Sequence, residues 1–193
     1  MNIILASQSA RRRELLEKRF SNLKVVSSSV EEKTDPNADP AVEVLSLSHQ
    51  KCYDVAKDHP DALCIGSDTL VYLDYMIGKP KTKEDAFLMI KHLQGRTHKV
   101  YTGISLIHLN LGYKVVDYDV TEVTFKSVSD EEILDYLSRT DVFDKAGAYA
   151  IREEGHELVE DYKGELTTII GFPMPLFEKM LKDYTTRNSL ENI

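Results

Sequence analysis

Cysteine is scarce. Only Cys52 and Cys64 occur among 193 residues, too few for a disulfide framework or a thiolate zinc site, and both are expected to stay reduced. Histidine offers no substitute: the six present, His49, His59, His92, His98, His108 and His156, include no pair at the short spacing of a zinc site. Long apolar runs are missing as well. The opening run ends at Ala6, before the arginines that begin at Arg11, and is too short for a secretory signal or a membrane span. The expected compartment is therefore the cytosol, with no membrane partner. Positive charge is in deficit, with 24 Lys and Arg against 32 Asp and Glu and a net charge of -8, which opposes the general attraction to a polyanion on which nucleic-acid binding depends. No Gly-x-Ser-x-Gly elbow occurs, and neither cysteine has an evident nearby base, so covalent acyl transfer is disfavoured. Internal repeats, low-complexity tracts and linkers are absent too.

What remains is a chain of ordinary globular composition, 42% hydrophobic and 29% charged, long enough for one domain or two closely packed lobes to bury a core. Ile3 to Ala6 reads as a short buried strand, followed by the polar loop Ser7-Gln8-Ser9 and a helix from about Ala10 to Phe20. Leu23 to Ser28 reads as a second strand and Glu31 to Asp39 as a polar loop. Asp39 followed by Pro40 is a cap and first-turn pair for a helix that ends near His59. Ala62 to Leu73 is an apolar, strand-like run whose hydrophobicity is broken by Gly66-Ser67-Asp68-Thr69. Thr82 with Asp85, and Ser129 with Glu132, are capping boxes for two further helices. Between them, Lys99 to Leu109 and Tyr113 to Phe125 form two extended runs joined through Asn110-Leu111-Gly112, a hairpin signal. Glycines punctuate short strands after Lys145, and a last helix is expected from about Pro175 to Tyr184. The order of elements is mixed α/β, with at least part of the sheet antiparallel.

Several residues could carry chemistry. A strand, a Ser-x-Ser loop and a helix starting at Ala10 present free amides and the positive end of a helix dipole beside Arg11, Arg12 and Arg13. That arrangement suits an anion, although a surface helix with solvated arginines fits the spacing equally. The loop lacks the glycines of a Walker or dinucleotide fingerprint. Asp68 is the most pointed residue, since a carboxylate inside an apolar strand needs a metal, a cation or a reacting water to offset its desolvation. A structural partner, Thr69 or a lysine, would also satisfy it. Glu31 and Glu32 could bring a second carboxylate to a magnesium ion, or be a solvated charge run. Lys51 on a helix face and Lys79 in the turn Gly78-Lys79-Pro80 are phosphate ligands only if they share a location.

The run Ile4-Leu5-Ala6-Ser7-Gln8-Ser9-Ala10-Arg11-Arg12-Arg13-Glu14-Leu15-Leu16 resembles the opening signature of the Maf family of nucleotide pyrophosphatases. Gly66-Ser67-Asp68-Thr69-Leu70-Val71, Gly78-Lys79-Pro80, Leu93-Gln94-Gly95-Arg96-Thr97-His98 and Val100-Tyr101-Thr102-Gly103 resemble its central motifs. Lys145-Ala146-Gly147-Ala148-Tyr149-Ala150-Ile151 and Gly171-Phe172-Pro173 resemble its closing ones, so the resemblance covers essentially residues 3 to 176.

The resemblance implies a single domain over residues 1–193, with an elongated α/β fold shared with inosine-triphosphate pyrophosphatases. In that fold a central, mixed, partly antiparallel twisted sheet is flanked by helices, and two lobes surround a substrate cleft. It implies hydrolysis of nucleoside triphosphates between the α and β phosphates, with Asp68 as proton acceptor. A divalent cation, magnesium or manganese, would be held by Glu32 and Asp68. Ser7, Ser9, Arg11, Arg12, Lys51 and Lys79 fall where the family gathers phosphate ligands. Base choice falls to Arg11, Thr69 and Arg152. Arg11 and Thr69 agree with the branch acting on dTTP and UTP, which usually carries glutamine where this chain has Arg152 and proline where it has Ala10. A glutamine amide both donates and accepts, whereas a guanidinium only donates, so a preference for pyrimidine or modified pyrimidine nucleotides is expected to be shifted. The family also includes homodimers, and its association with septum formation leaves one rival reading: a nucleotide-binding regulator of cell division without catalysis.

Overall fold

A computed structural model describes residues 2–151 and 157–190. Among the described residues, seven strands form one sheet in the order β2-β1-β3-β5-β6-β7, with β4 paired to β3. They are β1 (Ile3–Ala6), β2 (Lys24–Val26), β3 (Leu63–Leu73), β4 (Tyr75–Ile77), β5 (Thr97–His108), β6 (Tyr113–Phe125) and β7 (Val159–Lys163). The helices are α1 (Ala10–Glu17), α2 (Pro40–Asp58), α3 (Lys83–Leu93), α4 (Asp130–Arg139), α5 (Leu166–Ile170) and α6 (Met174–Leu190). The sheet is mixed, as expected: β1 runs parallel to β2 and β3, whereas β3 with β4 and β6 with β7 are antiparallel.

The chain divides into two compact units. The first comprises Met1–Asp68, Thr102–Asp119 and Gly171–Ile193. In it β1, buried along its whole length, is the inner strand between β2 and β3, which is why its sequence is continuously apolar rather than alternating. Ile4, Ala6, Cys64 and Ile107 from the sheet pack with Cys52, Val55 and Ala56 of α2. Two glycines let that helix lie close. A Cβ on Gly66 would sit 2.5 Å from the Ser48 carbonyl oxygen, and one on Gly103 would sit 2.4 Å from that of Val44. Between them the hydroxyls of Ser48 and Ser105 meet at 3.1 Å, and the Cys52 thiol donates to the Cys64 carbonyl at 3.2 Å. Both thiols are buried, and burial raises their pKa, that of Cys64 to about 11.

Three expected boundaries move. α1 ends at Glu17 rather than near Phe20, because the amides of Arg19 and Phe20 both donate to the Leu16 carbonyl and close the turn. The Phe20 ring then meets Phe177 of α6 edge-on at 6.1 Å. β2 is shorter than the run Leu23 to Ser28, because it pairs with β1 only over Lys24, Val25 and Val26. α6 continues past Tyr184 to Leu190, and the Tyr184 hydroxyl meets Nδ1 of His108 at 2.7 Å. The polar insert of the third run does not interrupt β3, in which Gly66, Ser67 and Asp68 are buried and continue the strand.

The second unit comprises Thr69–Tyr101 and Val120–Ile170. Both expected capping boxes form there, Thr82 with Asp85 and Ser129 with Glu132, satisfying amides that a helix start would leave unpaired. Its core holds Ile90, Leu93, Ile133 and Tyr136, together with an aromatic triad. His98 lies edge-on to Phe125 and Tyr149, and its Nε2 meets the Tyr149 hydroxyl at 2.8 Å. Nδ1 of His98 has no hydrogen-bond partner among the described residues.

Burial disfavours the imidazolium of His98 and lowers its pKa from 6.5 to about 4. Between those values the unfolded chain binds a proton that the folded chain does not, so stability falls as pH drops through that window. From pH 7 to pH 5 this group is expected to remove about 2 kcal/mol, at 1.36 kcal/mol per pKa unit. Urea unfolding of the native chain and of His98→Gln at both pH values measures it. A shallower pH dependence in the variant is expected, and identical dependence would refute the assignment.

Candidate active site

Seven of the residues singled out from the sequence fall in the first unit: Ser7, Ser9, Arg11, Arg12, Glu32, Lys51 and Asp68. The chain leaves β1 at Ala6, and Ser7, buried at 7% exposure, accepts a hydrogen bond from the Ser9 amide at 3.1 Å. Ser9 is the N-cap of α1, and its hydroxyl accepts from the Arg12 amide at 3.4 Å. Both serines thus give loop and helix start a defined geometry. The expected strand, Ser-x-Ser loop and helix are all present.

Arg12 spends two of its donors on the backbone. Its Nε donates to the Gly171 carbonyl at 2.8 Å and its Nη1 to the Ser67 carbonyl at 2.9 Å. The Ser67 hydroxyl also donates to the Gly171 carbonyl, at 3.1 Å. The residue before Asp68 is thereby tied to α1 and to the start of the closing segment. Burial lowers the Arg12 pKa from its ordinary value; Asp68 opposes this, Arg11 adds to it, and Glu32 opposes it. Those four charges lie in one electrostatic neighbourhood.

Asp68, on β3, is only 12% exposed at its side chain and is ion-paired through Oδ1 with Nζ of Lys51, itself 14% exposed. The same ammonium lies 3.2 Å from Glu32 Oε1. Lys51 precedes Cys52, so the close seating of α2 on Gly66 and Gly103 also sets where its side chain begins. Glu32 belongs to a segment without regular structure, which α2 holds by its side chains. Asp54 accepts from the Ser29 amide at 2.9 Å and the Ser28 hydroxyl at 3.0 Å. Gln50 accepts from the Lys33 amide at 2.8 Å and donates to the Lys33 carbonyl at 2.9 Å, while Glu43 accepts from the Asp35 amide at 3.3 Å. The bond from the Ser29 amide lowers the Asp54 pKa most, with smaller contributions from Lys57 and the Ser28 hydroxyl, against the opposing effect of burial. Residues 43, 50 and 54 follow helical spacing along α2, a face that hydrophobic patterning alone leaves blank. Gln50, Asp54, Ser67 and the Gly171 carbonyl are the site-forming groups that sequence reasoning missed.

Thr69 and Lys79 belong to the second unit, where the carbonyl of Gly78, just before Lys79, accepts from the Gly147 amide at 3.0 Å. Gly147 has φ of 71°, a conformation glycine adopts without penalty. Arg152 lies outside the described residues.

The donor set can be tested against a metal. Among the described residues, no group of three or more His, Cys, Asp or Glu converges. Glu32 and Asp68 converge on one ammonium, however, and two hard oxygen donors suit a magnesium-like ion that completes its shell with water and substrate phosphates. The residues fit such an ion as a shared site, not as a closed protein cage. A buried carboxylate beside an ammonium, a second carboxylate and a guanidinium can bind phosphate and a divalent ion and accept a proton from water, the chemistry used by phosphoryl-group hydrolases.

Comparison with known proteins agrees with that class. A model of the Maf family, described as Maf-like protein, matches residues 2–184; the chain belongs to the Maf family. It is similar to proteins named dTTP/UTP pyrophosphatase. One from Clostridioides difficile (strain 630) is 42% identical, with 97% of each chain covered. One from Thermoanaerobacter sp. (strain X514) is 40% identical, covering 97% of this chain and 99% of that one. One from Bacillus cereus is 38% identical, covering 94% and 95%. A solved structure, the Staphylococcus aureus Ham1 protein, is 15% identical with a TM-score of 0.43, covering 65% of this chain and 72% of that one, a likeness too loose to carry an argument.

A lysine can reach only one of the two carbonyls that the Arg12 fork bridges. Arg12→Lys is therefore expected to lower stability by roughly 1.5–3 kcal/mol, the net contribution of one hydrogen bond from a charged group, as read by urea unfolding. An unchanged midpoint would show that the clamp does not hold the strand end.

Proposed function

We propose that this chain is a nucleoside-triphosphate pyrophosphatase that hydrolyses dTTP, UTP or modified pyrimidine nucleotides to the monophosphate and diphosphate. The observation that carries the reading is the buried Asp68 carboxylate, poised with Glu32 around Lys51 in a chain whose relatives are named for this reaction. A structural ion pair alone needs no second carboxylate.

Asp68 takes the proton of a water that attacks the α phosphorus. The new bond joins water oxygen to that phosphorus, and the bond from the α phosphorus to the bridging oxygen breaks. Diphosphate carries away the electron pair, and Asp68 later releases the proton to solvent. Arg11, Arg12, Lys51 and Lys79 stabilise the charge that builds on the phosphoryl oxygens, while Ser7 and Ser9 present the loop before α1 to the polyphosphate. Glu32 and Asp68 would hold the divalent cation, magnesium or manganese, which when bound lowers the pKa of water and neutralises phosphate charge. Arg11, Thr69 and Arg152 set base preference.

Asp68→Asn is expected to fold with native secondary structure and lose at least about 100-fold in turnover, measured as diphosphate released from dTTP, UTP and a panel of purine and modified pyrimidine nucleotides. Turnover at the native level would remove Asp68 from the role of base. Nucleotide binding by the native chain without diphosphate release would make the chain a regulator instead of an enzyme.

A further inference from the structure

Lys51 stands where two carboxylates meet. Its Nζ pairs with Asp68 Oδ1 and lies 3.2 Å from Glu32 Oε1, and on the reading above these two side chains are also the metal ligands. A carboxylate paired with this ammonium is a weaker ligand for a second cation, because the two positive charges would lie within a few ångströms of each other. An ammonium within hydrogen-bond reach of each carboxylate occupies the region a divalent ion would share, and at such separations like charges repel strongly when half-buried. The surroundings allow exchange. The backbone of Lys51 is fixed by the close seating of α2 against Gly66 and Gly103, whereas its ammonium rides on a flexible four-carbon stem. Glu32, 41% exposed at its side chain, keeps one side of the pair in water.

We propose that Lys51 is a resident counter-ion of the metal site. In the nucleotide-free protein it neutralises Asp68 and Glu32 and keeps divalent cations weakly bound; when a metal–nucleotide complex arrives, it transfers from the carboxylates to the polyphosphate. The exchange conserves charge pairing at every stage: the divalent ion replaces the ammonium at the carboxylates, and the phosphates replace the carboxylates at the ammonium. Metal and nucleotide are then coupled through one side chain, and by linkage each strengthens the other by the same factor. The inference rests on the proposed nucleotide pyrophosphatase site. It adds that Lys51 opposes metal binding before it assists substrate binding.

Manganese binding to the full chain, followed by electron paramagnetic resonance, reads this without any turnover. The chains compared are the native one, Lys51→Gln, Lys51→Met and Lys51→Arg, each with and without α,β-imido-UTP, and thermal melts establish that each is folded. Without nucleotide, the Gln and Met variants are expected to bind Mn²⁺ at least tenfold more tightly than the native chain, whereas Arg, which keeps a cation there, retains the weak affinity. With the analogue, the native chain should gain more affinity than the Gln and Met variants. Equal or weaker Mn²⁺ binding by both neutral variants, while the native chain binds Mn²⁺ with the analogue, would overturn the counter-ion role and leave the site reading standing. Failure of every chain to bind Mn²⁺ with the analogue would overturn the site reading and the inference with it.

Discussion

The ion pair between Lys51 and Asp68, with Glu32 at its open side, is the interaction on which the arrangement of the site turns. A carboxylate within a buried strand is costly unless a counter-charge reaches it, and that counter-charge comes from α2, which must therefore lie near β3. Gly66 and Gly103 provide the closeness because a Cβ at either would strike helix backbone. Within the same contact the Ser48 and Ser105 hydroxyls pair with each other and the Cys52 thiol donates to the Cys64 carbonyl. Packing and charge thus constrain each other: moving the helix outward would strand Asp68, and neutralising Asp68 would remove the electrostatic reason for Lys51 to point inward.

Much of this was legible in local sequence. Asp39 before Pro40, Thr82 with Asp85 and Ser129 with Glu132 each state a helix start within four residues, and each is observed. Asp68 was legible because a charge inside an apolar strand has few reasons to be there, and the strand proved continuous through it. The arginine clamp was not, because Arg12 addresses the carbonyls of Ser67 and Gly171, and backbone acceptors leave no residue-type signature. Glu32 was legible from its residue type only as one of two neighbouring candidate carboxylates, and family resemblance alone singled it out from Glu31. Its approach to Lys51 depends on Asp54, Gln50 and Glu43 holding a loop along α2, bonds between polar residues that a hydrophobic pattern does not record. The lengths of α1, β2 and α6 failed for a related reason, being set by where hydrogen-bond partners stop rather than by propensity.

The proposed function uses the same contact: on that reading Glu32 and Asp68 would accept a divalent cation with substrate, and Lys51 would turn from them to the phosphates. Membership of the Maf family and relatives named dTTP/UTP pyrophosphatase agree with this chemistry.

The most direct measurement is a crystal structure of the chain with magnesium and α,β-imido-dTTP. The account predicts a metal ion bonded to oxygens of Glu32 and Asp68, with Nζ of Lys51 moved onto a phosphate oxygen. A nucleotide bound away from Asp68, with Lys51 still paired to that carboxylate, would contradict it.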